Sequence, residues 1–432
     1  MKNQFLSILF CVGTAVAQTA GSGNDRLLAA FKDRALSDQA QTMKTDERIK
    51  LYEAMVQGQP TRPHYRNLLA SAYIQKVRET TDFSYLDRAN SLVDAVLNDD
   101  SNEYEALRLK LEIELEKHNF KKVTELAGRM TKSAPNDPWN WGALGDAQLE
   151  LGNYDAAADA YQRMVVLRPD LASYNRAAWY RFLAGDQPGA VAIMKAAISS
   201  GSSSTENVAW CMVELGKLHY KAGQIDDAAR AYKGALQVFP NYHPALAGLG
   251  LVEASRGDLK SAIANYKRAL ASTPLPDYSA ALYDLYTVSG EPLEALKQKQ
   301  LIEVIDKAGQ AAREKANRNL ALIFADHDWN VEHALELAKA ELEVRGDIYT
   351  FDALAWAQLK NGQLAEAQKS ITQALKMETP EPALLYHAGM IAAANGKKAD
   401  AVKLLQRALQ LNPKFDLRQA AIAQSKLKEL AS

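Results

Sequence analysis

Cysteine is almost missing from this chain: among 432 residues there are two, Cys11 and Cys211. A disulfide framework is thereby excluded as the source of stability. Histidine is also sparse, at seven residues, which leaves little material for a histidine-rich metal centre. No excess of one charge exists, since 51 Lys and Arg stand against 52 Asp and Glu. That balance removes the broad basic field that nucleic acid or an anionic membrane would require. Long apolar runs are lacking as well. The most hydrophobic stretch, Phe5 to Val16, is too short to cross a bilayer comfortably. What is present is 47% hydrophobic and 24% charged residues, the composition of a chain able to bury a large core.

The first residues place Lys2 before that apolar run and Ala15-Val16-Ala17 after it, the layout of a secretory signal peptide cleaved after Ala17. A lipoprotein signal at Cys11 is disfavoured, because Phe10 stands where such signals want a small residue. Removal of residues 1–17 leaves 50 basic and 52 acidic side chains and one cysteine, Cys211, expected as a buried small hydrophobe. The reading is therefore an exported chain, periplasmic or secreted, with no integral membrane span in its mature part.

The rest of the sequence is organised by spacing. Gly145 and Ala157, Ala178 and Ala190, Gly216 and Ala228, Gly250 and Ala262, Ala355 and Ala367, and Gly389 and Ala401 each lie twelve residues apart. Between the partners stand Gly152, Gly185, Gly223, Gly257, Gly362 and Gly396. This is the signature of two helices crossing at a small contact, with glycine in the left-handed conformation ending the first. Pro135 and Pro169, like Pro240 and Pro274, are 34 residues apart and stop the second helix. Each hairpin has two apolar faces and must stack on neighbours to bury both.

The segments GALGDAQLELGNYDAAADAYQRMVVLRP, ELGKLHYKAGQIDDAARAYKGALQVFP and GLGLVEASRGDLKSAIANYKRALASTP carry a resemblance to tetratricopeptide repeat proteins. RAAWYRFLAGD, ENVAWCMVELG, LALIFADHD, DALAWAQLKNG and LLYHAGMIAAANG further resemble an exported bacterial tetratricopeptide family without established activity. The implied fold is all-α, a right-handed superhelical solenoid of helix hairpins. Its expected divisions are a signal peptide at 1–17, a lead-in and capping helix at 18–62, the repeat array at 63–415 and a capping helix at 416–432. Within the array, an elongated variant repeat occupies 63–103 and nine regular repeats fill 104–415. The carboxylate clamp of chaperone-tail binders is not assembled at Arg108, Glu112, Gly142, Asp146, Asn175, Trp179, Val213 and Lys217. Nor does the asparagine ladder of the sugar-transferring branch survive at Leu109, Ala143, Arg176 and Glu214.

Residues that could carry chemistry read more simply as structure. Asp326, His327, Asp328, Glu332 and His333 match no metal-site spacing, and the repeat frame puts them at a turn, expected to be bulged, and a helix start. Gly248, Gly250 and Ala254 mimic a dinucleotide fingerprint but follow no strand. The acidic run Asn98 to Glu103 lacks the glycine and terminal Glu of a calcium loop. His387 has no nucleophile near it in sequence and reads as a core or groove histidine. No catalytic residue, metal or cofactor is therefore expected. Aromatic side chains are another matter. In this fold the second, fifth, ninth and twelfth positions of a repeat face the concave surface. Trp139, Trp179, Phe182, Trp210 and Tyr220 fall there, with Tyr349, Trp356 and Tyr386 as a second group. The expected function is a non-enzymatic interaction scaffold of the bacterial envelope that holds a protein or peptide segment in its concave groove. A glycan- or peptide-binding accessory of an envelope enzyme complex is the alternative, and a metal-dependent enzyme a weaker one.

Overall fold

The computed structural model describes residues 40, 43–80, 82–202, 204–311 and 316–431. The expected signal peptide and most of the lead-in lie outside them. The described residues form helices throughout, with no strand among them. The first five are α1 (Thr45–Gly58), α2 (Pro63–Thr80), α3 (Ser84–Asp99), α4 (Tyr104–Glu116) and α5 (Phe120–Ser133). They are followed by α6 (Pro138–Glu150), α7 (Tyr154–Leu167), α8 (Leu171–Leu183), α9 (Gln187–Ser200), α10 (Thr205–Lys221) and α11 (Ile225–Val238). Next come α12 (His243–Arg256), α13 (Leu259–Ser272), α14 (Pro276–Val288), α15 (Pro292–Ala311), α16 (Arg318–Asp326) and α17 (Val331–Val344). The last are α18 (Ile348–Lys360), α19 (Leu364–Ala374), α20 (Pro382–Ala394), α21 (Lys398–Leu411) and α22 (Gln419–Ala431).

Local chemistry explains where these helices begin and end. Asp137, Asp170, Asp186, Asp258 and Asp347 each accept a hydrogen bond from a backbone N–H of the first turn, satisfying donors that have no intrahelical partner. Gly152, Gly185, Gly223, Gly257, Gly362 and Gly396 all have positive φ at the turn between paired helices. The bulged turn expected at Asp326 to Asn330 is present, with φ of 54° at Asp328 and 39° at Asn330.

The hairpins close on a repeated contact. Gly145 of α6 lets the Tyr161 ring of α7 approach so near that an added Cβ would stand 2.4 Å from it. Tyr232 of α11 is gripped between Gly216 of α10 and Gly248 of α12, and Tyr266 of α13 lies on Gly250. Ala157, Ala190, Ala228, Ala262, Ala367 and Ala401 are fully buried at the crossings, as is Cys211 in its helix.

One long-range feature decides what the inner surface can do. Residues 192 to 196 apart meet along a seam, where a later turn of the solenoid lies directly on an earlier one. The Gly346 amide donates to the Glu150 carbonyl at 2.8 Å, and Arg345 pairs with the Glu150 carboxylate at 2.7 Å. The Ile348 amide donates to the Tyr154 hydroxyl at 2.9 Å. Thr379 donates to the Leu183 carbonyl at 2.6 Å, Asn412 to the Tyr220 carbonyl at 2.7 Å, and Lys221 pairs with Glu381. Gly152 and Gly346 are required here, since a Cβ on Gly152 would sit 2.2 Å from the Gly346 carbonyl oxygen. The apolar core beneath is shared between turns and includes Phe182, Met194 and Leu218 together with Ile348, Ile371 and Ile391.

Candidate inner-face binding site

The seam corrects the expectation of an open aromatic groove at four positions. Phe182 is 0% exposed, Trp356 and Tyr386 2%, and Tyr220 5%. Phe182 and Tyr220 are core side chains because the following superhelical turn covers them, whereas Trp356 and Tyr386 are covered by neighbouring helices and the C-terminal segment. Trp179 and Tyr349 are half-buried and stack on one another across the seam, with ring centroids 6.1 Å apart. Phe182 also stacks on Trp179, at 5.5 Å. Trp356 stacks on His387 at 4.3 Å and Tyr386 meets Phe415 at 5.8 Å. Tyr220 uses its hydroxyl on Ser255 at 2.8 Å and on the Lys414 carbonyl at 2.7 Å. Three cores thus take up six of the eight aromatics. Trp179→Ala is therefore expected to cost about 3 kcal/mol of stability through the gap left between turns. A urea titration checks this, and a variant as stable as the parent would remove Trp179 from the seam.

Two tryptophans remain. Trp210 on the first turns of α10 is 39% exposed and has no ring partner among the described residues. It continues as a stripe through Glu214, Lys217 and Lys221, spaced so that all four share one helix face. At the far end of that stripe Lys221 lies over the Phe182 and Tyr349 rings, where the later turn is stacked on α10. Trp139 of α6 is half-buried beneath Arg108 of α4, whose guanidinium carbon is 5.2 Å from the ring centre.

Around these aromatics, successive first helices are joined by ion pairs. Arg78 of α2 pairs with Glu112 of α4, and Arg176 of α8 grips Asp146 of α6 through two nitrogens at 2.6 and 2.8 Å. Burial alone would lower the Arg176 pKa, yet the charge and hydrogen bonds of Asp146 raise it. The Glu206 carboxyl is pushed up by burial and accepts from the Tyr242 hydroxyl at 2.7 Å. The composition of the site is thus charged pairs plus one exposed indole, Trp210, with Trp139 half-buried against a core. Sequence reasoning did not foresee these pairs. Their one signal is opposite charge at offsets of 30 and 34 residues, as in Asp146 with Arg176 and Arg78 with Glu112.

The histidines expected at a turn are held in separate pairs. His327 is 3.0 Å from Asp284, and His333 is 3.0 Å from Asp306. Among the described residues no group of three or more His, Cys, Asp or Glu side chains is placed to hold a metal ion. No described helix is long and apolar enough to cross a membrane.

Residues 143–205, 213–282 and 353–414 match the Tetratricopeptide repeat family. The chain carries tetratricopeptide repeats. The chain is 26% identical over 268 residues to Cellulose synthase operon protein C of Pseudomonas fluorescens (strain SBW25), covering 59% of this chain. It spans only 20% of that relative's length. Among solved structures, the APC/C hetero-tetramer Cut9–Hcn1 aligns over 88% of this chain and 58% of its own, at 14% identity and a TM-score of 0.44. A tetratricopeptide repeat protein from Parabacteroides merdae ATCC 43184 aligns over 61% of this chain and 99% of its own, at 17% identity and a TM-score of 0.33. Tetratricopeptide arrays are in general protein–protein interaction scaffolds and typically non-catalytic.

Proposed function

We propose that this protein is a non-enzymatic scaffold of the bacterial envelope that binds an extended segment of a partner protein on the inner face of its first repeats. The exposure of Trp210 carries the reading. A large indole left 39% accessible, at a repeat position expected to face the concave surface, gives contact area at little entropic cost once a partner covers it. Glu214 and Lys217 beside it pair at 2.7 Å and supply polar groups for the partner's backbone. This reading centres the site on Trp210, the one of the eight aromatics that is exposed. Export rests on the apolar run and the Ala15-Val16-Ala17 site, and the similarity to a cellulose synthase operon protein supports an envelope setting.

A photo-crosslinking residue placed at position 210 should capture a partner protein in the native host, whereas one at Val166, which is 63% exposed on α7, should not. Trp210→Ala should weaken the purified complex by about 2 kcal/mol without lowering the melting temperature. Equal capture at both positions, or unchanged affinity of the alanine variant, would refute the site. Retention of Trp210-dependent binding by oligosaccharide alone would replace the protein partner with a glycan.

A further inference from the structure

We infer that the two edges of the solenoid form an interface with a second copy of this chain, docked head to tail. The open turns at Gly362 and Gly396 of one copy seat on the exposed loops before α4, α6 and α8 of the next. The seam shows how such edges fit. Three successive turns, at Gly152, Gly185 and Gly223, lie against the backbone of three successive inter-repeat loops. A Cβ added to these glycines would stand 2.2 Å from the Gly346 carbonyl oxygen, 3.5 Å from that of Glu378 and 2.8 Å from that of Leu411. Charge accompanies the fit, since Lys221, two residues before Gly223, pairs with Glu381, the N-cap residue of α20. A later loop thus sits on an earlier turn, so the turns face one end of the superhelix axis and the loops face the other. The seam runs out where Lys414 reaches the Ser255 carbonyl at 2.7 Å and Arg418 reaches Asp284 at 3.0 Å. Farther along the same edge, Gly362 and Gly396 have the same left-handed backbone, with φ of 71° and 73°. Among the described residues nothing lies within 4 Å of a Cβ added to either.

The matching loops are equally uncovered. In the seam Asp347, Thr379, Glu381 and Asn412 are buried, whereas Asp99 to Asn102, Pro135, Asn136, Arg168 and Pro169 of the earlier loops are exposed. Their charge is complementary to the open turns. Asp99, Asp100, Glu103, Asp137 and Asp170 lie on these loops, and the last three hold the N-cap position that Glu381 holds in the seam. The open turns carry Lys360, two residues before Gly362 as Lys221 is before Gly223, together with the exposed Lys397 and Lys398. Lys360 already reaches Asp328 at 2.8 Å, so Lys397 and Lys398 supply most of the attraction. Because two different surfaces meet, every bound copy leaves one edge of each kind open. Association therefore proceeds as a growing chain and not as a closed pair.

Sedimentation velocity of the purified full chain from micromolar to millimolar concentrations should show assemblies that grow past the dimer and break up at high salt. Lys397→Glu with Lys398→Glu reverses one edge, and Asp100→Lys with Asn136→Lys reverses the other. Each double variant alone should assemble about tenfold more weakly than the parent, because like charges then meet at every contact. An equimolar mixture of the two should recover assembly. The Glu turns of the first variant meet the Lys loops of the second, and the unreversed edges meet as they do in the parent. All four positions are exposed, so melting temperatures should stay the same. A parent that remains monomeric at every concentration, or that stops at a dimer, overturns the inference. So does assembly that either double variant retains in full or that their mixture fails to recover.

Discussion

Tyr232→Ala is expected to lower stability by about 3 to 5 kcal/mol, among the largest effects of any single change in the array. The side chain is 1% exposed and ties together three helices, because Gly216 of α10 and Gly248 of α12 press on its ring from two sides. Cβ atoms built on those glycines would lie 2.4 and 2.5 Å from the ring, and a ring gripped from both sides has no direction in which to yield. Gly216→Ala and Gly248→Ala should therefore each cost about 1 to 3 kcal/mol. The same substitutions made in the Tyr232→Ala background should reverse sign. There the clash is gone, and alanine in a helix interior is favoured over glycine by about 1 kcal/mol. Gly128→Ala supplies the control, since no heavy atom lies within 4 Å of its added Cβ, and it should be neutral or stabilising. Urea titrations of the full cycle measure the coupling. If Gly216→Ala costs the same with and without Tyr232, the ring does not set the spacing of these helices.

The same contact shows how far the sequence could be read. Twelve-residue spacing of Gly and Ala reveals that two helices cross closely, because close crossing forbids large side chains at that point. The other half of the contact lies sixteen residues on, at Tyr161, Tyr232 and Tyr266, where an aromatic ring fills the space that the glycine opens. Turn chemistry was legible for the same local reason: Gly152 and Gly223 sit where only a left-handed residue fits. The inner face was not legible in this way. Whether Phe182 and Tyr220 face water depends on the pitch of the superhelix, which accumulates from small rotations between successive hairpins. Nothing near Gly152 in sequence announces that Gly346 will press against it. The repeat frame placed all eight aromatics on one surface; the stacked turns then buried Phe182 and Tyr220, neighbouring helices and the C-terminal segment buried Trp356 and Tyr386, and Trp210 stayed accessible. His387 shows an intermediate case. Its burial was readable from the helix it occupies, while its partner Asp352 stands 35 residues earlier, an offset of one repeat that marks adjacent first helices.

That buried pair governs the expected response to alkaline pH. His387 is 3% exposed and Asp352 5%, and the Nδ1 of His387 lies 2.9 and 3.0 Å from the two Asp352 oxygens. Its Nε2 stands 3.8 Å from Asp326, a carboxylate that also accepts from the Trp356 indole at 2.8 Å and the Gln419 amide at 2.7 Å. Burial by itself would lower the imidazole pKa, but Asp352, through charge and hydrogen bonding, and Asp326 outweigh it and raise the value to about 10. The unfolded chain titrates this group near ~6.5. A raised folded pKa makes the stabilisation complete below about 6.5, and it is lost progressively as pH climbs through about 10. His387→Leu should cost about 3 to 5 kcal/mol at pH 6, because it strands Asp352 in the interior without its counter-charge. The gap between wild type and variant should then narrow as the pH is raised from ~6.5 to ~10, since the wild type loses what the variant never had. Taking this difference separates His387 from tyrosines and lysines that titrate in both proteins. Urea midpoints measured at several pH values across that range provide the test. A gap of constant size would mean that the imidazole is neutral in the folded protein, with packing against Trp356 accounting for the whole cost of its removal.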